Sequence, residues 1–212
     1  MNSALSIILM LPAILIAFTF HEYAHAVVAD RLGDSTPRYQ GRLTLNPIAH
    51  IDLFGILAVI FFHFGWAKPV QTNPSAYKDY YKDDLKVSLA GPIANLLVAL
   101  ITSIIFAFYI TFVYKFVQNS YTEVLFLMIR QIIIININIS IFNLLPIPGL
   151  DGFSLFRDLF PKKFQAFQDK FYQYQFLFLM GIIFFGGRII EVPCTAIANW
   201  MFGITTGIIS ML

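Results

Sequence analysis

Charge is scarce in this chain of 212 residues: Asp, Glu, Lys and Arg together make up 12%, against about 25% in a soluble domain. Cysteine is nearly absent. The single Cys194 excludes an intrachain disulfide and a cysteine-type zinc site, and reads as a small apolar filler. A dense basic cluster is also missing, and with a net charge of +2 no nucleic-acid partner is expected. No Lys or Arg precedes the apolar stretch that opens at Ala4. A signal peptide with a basic leader is therefore not indicated, and the segment is expected to be a retained membrane span.

What the chain has in quantity is apolar surface, 58% of residues with a mean hydropathy of +0.73. That composition predicts an all-α polytopic membrane protein, since a crossing helix takes about 20 apolar residues. Segments from Ala4 to Ala29, Val87 to Tyr114, Glu123 to Leu145, Phe176 to Ile190 and Thr195 to Leu212 suggest about five or six transmembrane helices. Leu53–Trp66 is apolar but too short to cross, so it is expected to be a re-entrant or interfacial element after the first helix. Phe164, Phe167, Phe171 and Tyr174 recur at helical spacing among Lys162, Lys163 and Lys170, as in an amphipathic surface helix or the start of the next span. The chain divides into a membrane-embedded core over 1–155 and, over 156–212, an amphipathic segment with C-terminal helices.

Basic residues set the expected orientation. Arg31, Arg38 and Arg42, then Lys68, Lys78, Lys82 and Lys86, then Arg157, Lys162, Lys163 and Lys170 share one side if the short element is re-entrant. Lys115 and Arg188 remain for the other. The basic side is assigned to the cytoplasm and the N-terminus to the exterior.

Within the first apolar run stands His21-Glu22-Tyr23-Ala24-His25. On a helix, positions i and i+4 share a face, so both imidazoles can reach one metal ion. Glu22 is close enough to take a proton from a water at that metal. Ionisable groups at this depth are costly and mark a functional site. A catalytic zinc takes three protein ligands. Asp151 can be the third: Pro146 and Pro148 break the helix before it, and Gly152 permits close approach. The alternative, weaker beside H-E-x-x-H, is a helix cap before Phe153–Phe160.

The pairing of H-E-x-x-H with Asn143-Leu144-Leu145-Pro146-Ile147-Pro148-Gly149-Leu150-Asp151-Gly152 resembles the site-2 protease family of intramembrane zinc metalloproteases. Gly41–Pro47, His50-Ile51-Asp52, Gly65–Val70 and Ala90–Asn95 add to the likeness, which covers about residues 15–155. The resemblance implies one Zn2+ per chain on His21, His25 and Asp151, with Glu22 as general base. It implies that Asn143 stabilises the developing oxyanion, the rival role being a helix–helix hydrogen bond. Asn136 and Asn138 read as such bonds. Many relatives carry proline at the positions of Gly149 and Leu53, and the chain lacks room for a PDZ or CBS domain.

The expected function is thus hydrolysis of a peptide bond in or near a transmembrane segment of another protein, in a bacterial inner membrane, with the active site toward the cytoplasm. Residues Gly65–Val70 can add a strand to an extended substrate or simply anchor Trp66 and Lys68 at the headgroups. His50, Trp66 and Lys68 are candidate substrate or gating residues, with loop support as the alternative for His50 and Asp52. His63 reads as an interfacial histidine. Arg130 is expected to face the protein interior or to snorkel. The competing function is a non-proteolytic zinc transporter or a membrane scaffold. A transporter would spread its polar groups across mid-membrane, whereas these cluster near one face.

Overall fold

A computed structural model describes residues 3–62, 65–185 and 187–211. The chain is helical throughout: α1 (Ser3–Arg31), a single turn α2 (Thr36–Tyr39), α3 (Leu53–Phe62), α4 (Tyr80–Tyr109), α5 (Ser120–Asn143), α6 (Asp151–Leu159), α7 (Pro161–Phe185) and α8 (Gly187–Met211). Local chemistry starts the long helices. Asp79 caps α4 by accepting from Lys82 N, and Asn119 with Thr122 closes a reciprocal capping box on α5. The last turn of α4 widens into π geometry over Ile110–Tyr114.

Four helices are long and apolar enough to cross a membrane among the described residues: Leu9–Arg31, Tyr80–Tyr114, Ser120–Asn143 and Ile190–Met211. The protein is integral to the membrane. Hydrogen bonds fix the helix directions. Asn95 reaches Ala17 O and His21, while His25 meets Val87, so α1 and α4 are antiparallel. Ser140 bonds Pro92 O and Tyr109 bonds Thr122 O, so α5 is antiparallel to α4. Thr205 donates to Ser103 O and Ile209 packs beside Ile110–Phe116, which makes α8 parallel to α4.

The expected aromatic stripe and the first part of the expected span over Phe176–Ile190 lie on one unbroken helix, α7. The stripe packs against α6. The Phe164 ring stands 4.9 Å from that of Phe153, and Phe171 contacts Phe153 and Phe156.

α1 packs closely where its buried face carries alanine: Ala13, Ala17, Ala26 and Ala29 are fully buried. Away from that seam, Ala99, Phe106 and Tyr109 of α4, Ile129, Ile133 and Ile137 of α5, and Cys194 and Met201 of α8 form one apolar cluster.

The short apolar element is a hairpin with one helical arm. α3 runs in and an extended stretch returns, and both feet meet where Ile51 pairs with Ala67 and Lys68 N donates to His50 O at 2.9 Å. Gly55 and Gly65 let the arms touch, since a Cβ on either would overlap backbone of the other arm. His63 lies outside the described residues.

Candidate active site

His21 and His25 sit on the buried face of α1, and their rings meet edge-on with centroids 4.7 Å apart. Each is oriented through Nδ1. His25 Nδ1 donates to Val87 O at 2.7 Å, and His21 Nδ1 donates to Asn95 Oδ1 at 2.6 Å. The orientation of the Asn95 amide is dictated by its surroundings, because its Nδ2 donates to Ala17 O and Asn136 Oδ1. Asn136 in turn donates to Ile132 O. Backbone carbonyls accept only, so they set the direction of the whole chain of bonds and place the proton of each neutral ring on Nδ1.

Both Nε2 lone pairs therefore face inward. They meet Asp151, the first residue of α6: His21 Nε2 is 3.1 Å from Oδ2 and His25 Nε2 is 3.3 Å from Oδ1. The three ligand atoms lie within 4.8 Å of one another. Imidazole nitrogens this close to a carboxylate need a cation, a metal ion or a proton, between them. Asp151 Oδ2 is buried with no hydrogen bond of good geometry. Ligands at about 2.0–2.1 Å on a tetrahedral zinc stand about 3.3 Å apart, which matches the two nitrogen–oxygen gaps. The residues present fit the metal.

Space for it is kept by Gly91 on α4. A Cβ there would come within 2.7 Å of His21 Nε2 and closer to His25 Nε2. Asp151 is held in turn by α6. Arg157 in the last turn of that helix pairs with Asp84 of α4 and with Asp158 at 2.7 Å, all three largely buried. At the start of α6, Gly149 adopts φ +94°, a conformation closed to proline.

Glu22 is buried beside the histidines, and its Oε2 accepts from Val70 N at 2.7 Å. It lines a cleft of about 1,140 Å³ between α1, the hairpin, α5 and α8, together with His21, Trp66 and Asn143. Asn143 donates back to Ile139 O at 2.9 Å within its own helix. Asn138 and Arg130 line the cleft as well, so Asn138 faces it and Asn136 alone of the two makes the expected interhelical bond.

Other candidates fall elsewhere. His50 is fully buried and bonded through Nε2 to Thr44 O at 2.7 Å; it is neither in the cluster nor among the residues lining the cleft. Asp52 accepts from Gly55 N and caps α3. Lys68 is exposed, with its backbone paired to His50. Sequence reasoning used Arg42 only to set the orientation and had no role for Asp34. Buried Arg42 binds the carbonyls of Ala49, Lys68 and Pro69, and buried Asp34 accepts from Asn73 N, so the two secure the loop that meets Glu22. It also missed Gly91 and Asn95, although both fall within Ala90–Asn95. Their spacing of four puts them on one helix face, the available signal.

Comparison with known proteins follows the same lines. A Bacillus subtilis (strain 168) protein named "Putative zinc metalloprotease YwhC" is 35% identical over 164 residues, covering 77% of this chain and 74% of that protein. The family described as Peptidase family M50 matches residues 110–185. The chain belongs to peptidase family M50, the site-2 protease family. The family match spans α5, α6 and α7, and so contains Asn143 and Asp151 of this M50 chain. No solved structure matches it.

Proposed function

We propose that this chain is an intramembrane zinc endopeptidase cutting peptide bonds in or near transmembrane segments of other membrane proteins. One observation carries the reading: two imidazoles, pinned through Nδ1, turn their lone pairs on a buried carboxylate from a distant helix. His21, His25 and Asp151 would hold the zinc. When bound, zinc supplies Lewis acidity that polarises a carbonyl and makes water nucleophilic near neutral pH.

Glu22 accepts the proton of the attacking water and returns it to the leaving amine. Its hydrogen bond from Val70 N holds the carboxylate toward the hairpin, where an extended substrate would lie. Asn143 offers an uncharged amide to the developing oxyanion after releasing Ile139 O. A substrate helix must unwind first, because its own hydrogen bonds occupy its peptide groups. The returning arm of the hairpin, Gly65–Val70, offers a strand edge to the freed stretch, with Trp66, Ala67 and Pro69 facing the cleft. The basic residues gathered at the metal end put that end in the cytoplasm and the N-terminus outside.

The test is Glu22→Gln in membranes or nanodiscs. Zinc content should stay at one per chain while cleavage of single-span substrates falls about a thousandfold. Asp151→Ala should lose both. Undiminished cleavage by the Glu22 variant would refute the assignment.

A further inference from the structure

The cleft has a second polar wall that the hydrolytic chemistry leaves unused. α8 is apolar enough to cross a membrane, yet Glu191, Thr195 and Asn199 are exposed on it and line the cleft. Their spacing of four places them on one face. The other face is committed: Cys194 and Met201 enter the apolar cluster and Thr205 bonds α4. The direction of α8 puts Glu191 at the metal end, where Gly187 borders the cleft beside Gly149 and Leu150. Arg130, also exposed, borders it roughly 20 Å farther along α5 from Asn143, at 1.5 Å per residue. Among the described residues, Glu22 and Glu191 are the acidic ones lining the cleft. Glu22 is bonded to the hairpin, whereas Glu191 has no ion-pair partner among the residues whose side chains are described.

We propose that Glu191 is a specificity-determining residue, which selects substrates whose transmembrane segment is followed at the metal end by Lys or Arg. The inference rests on the proteolytic reading above. Three physical points support it. The mouth of the cleft presents a carboxylate free to bind a cation. Membrane segments carry Lys and Arg on the side where this protein's own basic residues gather. An acidic flank would be repelled by the same group, so discrimination comes from attraction and exclusion together. Thr195 and Asn199, deeper on the stripe, offer hydroxyl and amide groups to peptide units that lose their helical partners when the segment unwinds.

The test uses zinc-loaded full-length Glu22→Gln protein in nanodiscs and three synthetic single-span peptides. The peptides are identical except for Lys-Lys, Gln-Gln or Glu-Glu at the metal-end flank. Binding is measured by photo-crosslinking, and cleavage of the same peptides by the protein with Glu22 intact. The Lys-flanked peptide should bind about tenfold more tightly than the Glu-flanked one. Adding E191Q should erase that order and E191K should invert it, with zinc content unchanged. An order that survives both changes overturns the proposal, as does binding with no charge order. Ordered binding without any hydrolysis would instead sink the proteolytic reading and leave Glu191 as a selector of basic flanks. Hydrolysis without charge order would do the reverse.

Discussion

At the metal end of the bundle, His21, Asn95 and Asn136 join three helices through hydrogen bonds whose direction is set by backbone carbonyls. Toward the far end, Phe106, Ile129, Ile133 and Met201 join helices mainly through apolar surface, with single interhelical bonds from Thr205 and Tyr109. The first arrangement specifies where individual atoms stand, because a hydrogen bond fails when its angle or length is wrong. The second specifies only that volume be filled, and it tolerates substitutions that conserve size. A peptidase needs atomic placement at one end of its bundle and mere cohesion at the other.

The sharpest way to break this contrast is a matched pair of glycine substitutions. Gly91→Ala drives a methyl into the space between the histidines and should lower zinc affinity about a hundredfold. Gly203→Ala on α8 meets nothing within 4 Å and should leave zinc binding unchanged. Metal content by mass spectrometry after dialysis against a graded chelator reads both.

A second pair separates orientation from stability. Asn95→Leu strips His21 of its Nδ1 acceptor and removes the bonds to Ala17 O and Asn136 Oδ1. It should cost about ten- to a hundredfold in zinc affinity. Ile133→Ala should instead cost about 2–4 kcal/mol of stability through its cavity, with affinity retained. If the two substitutions moved both quantities alike, the distinction between the ends would collapse.

Weaker effects sharpen the same line. Asp84→Asn removes the anchor of Arg157 and loosens the seat of α6, so zinc affinity should drop several-fold, and titration of apo protein with a competing zinc indicator detects it. The smallest effect belongs to Thr205→Val at the far end, where one interhelical bond to Ser103 O is lost. About 0.6 kcal/mol in reversible unfolding is expected there.

Legibility from sequence followed the range of each interaction. His21, Glu22 and His25 were readable because four-residue spacing on a helix fixes their common face. Asp151 was readable as a candidate because two prolines end the helix before it and glycine follows, but whether it capped a helix or faced the histidines depended on how α6 docks. Asn95 and Gly91 stayed hidden, since an amide or a gap in an apolar helix has no meaning until a neighbouring helix supplies the ring that uses it. The fate of α7 was hidden for a related reason. Its aromatic stripe suits a lipid surface as well as a helix face, and contact with Phe153 and Phe156 decided between them.

By itself the amino-acid order determined the membrane habitat, a short apolar element unable to cross, and the pair of imidazoles with a neighbouring carboxyl, since hydropathy and helical period act within one segment. Only the packed structure decided which asparagine orients which ring, that Arg157 and Asp84 seat α6, and that the acidic end of α8 opens onto the cleft. Those outcomes depend on residues far apart in the chain meeting at hydrogen-bond distance, and no local pattern encodes a meeting of that kind.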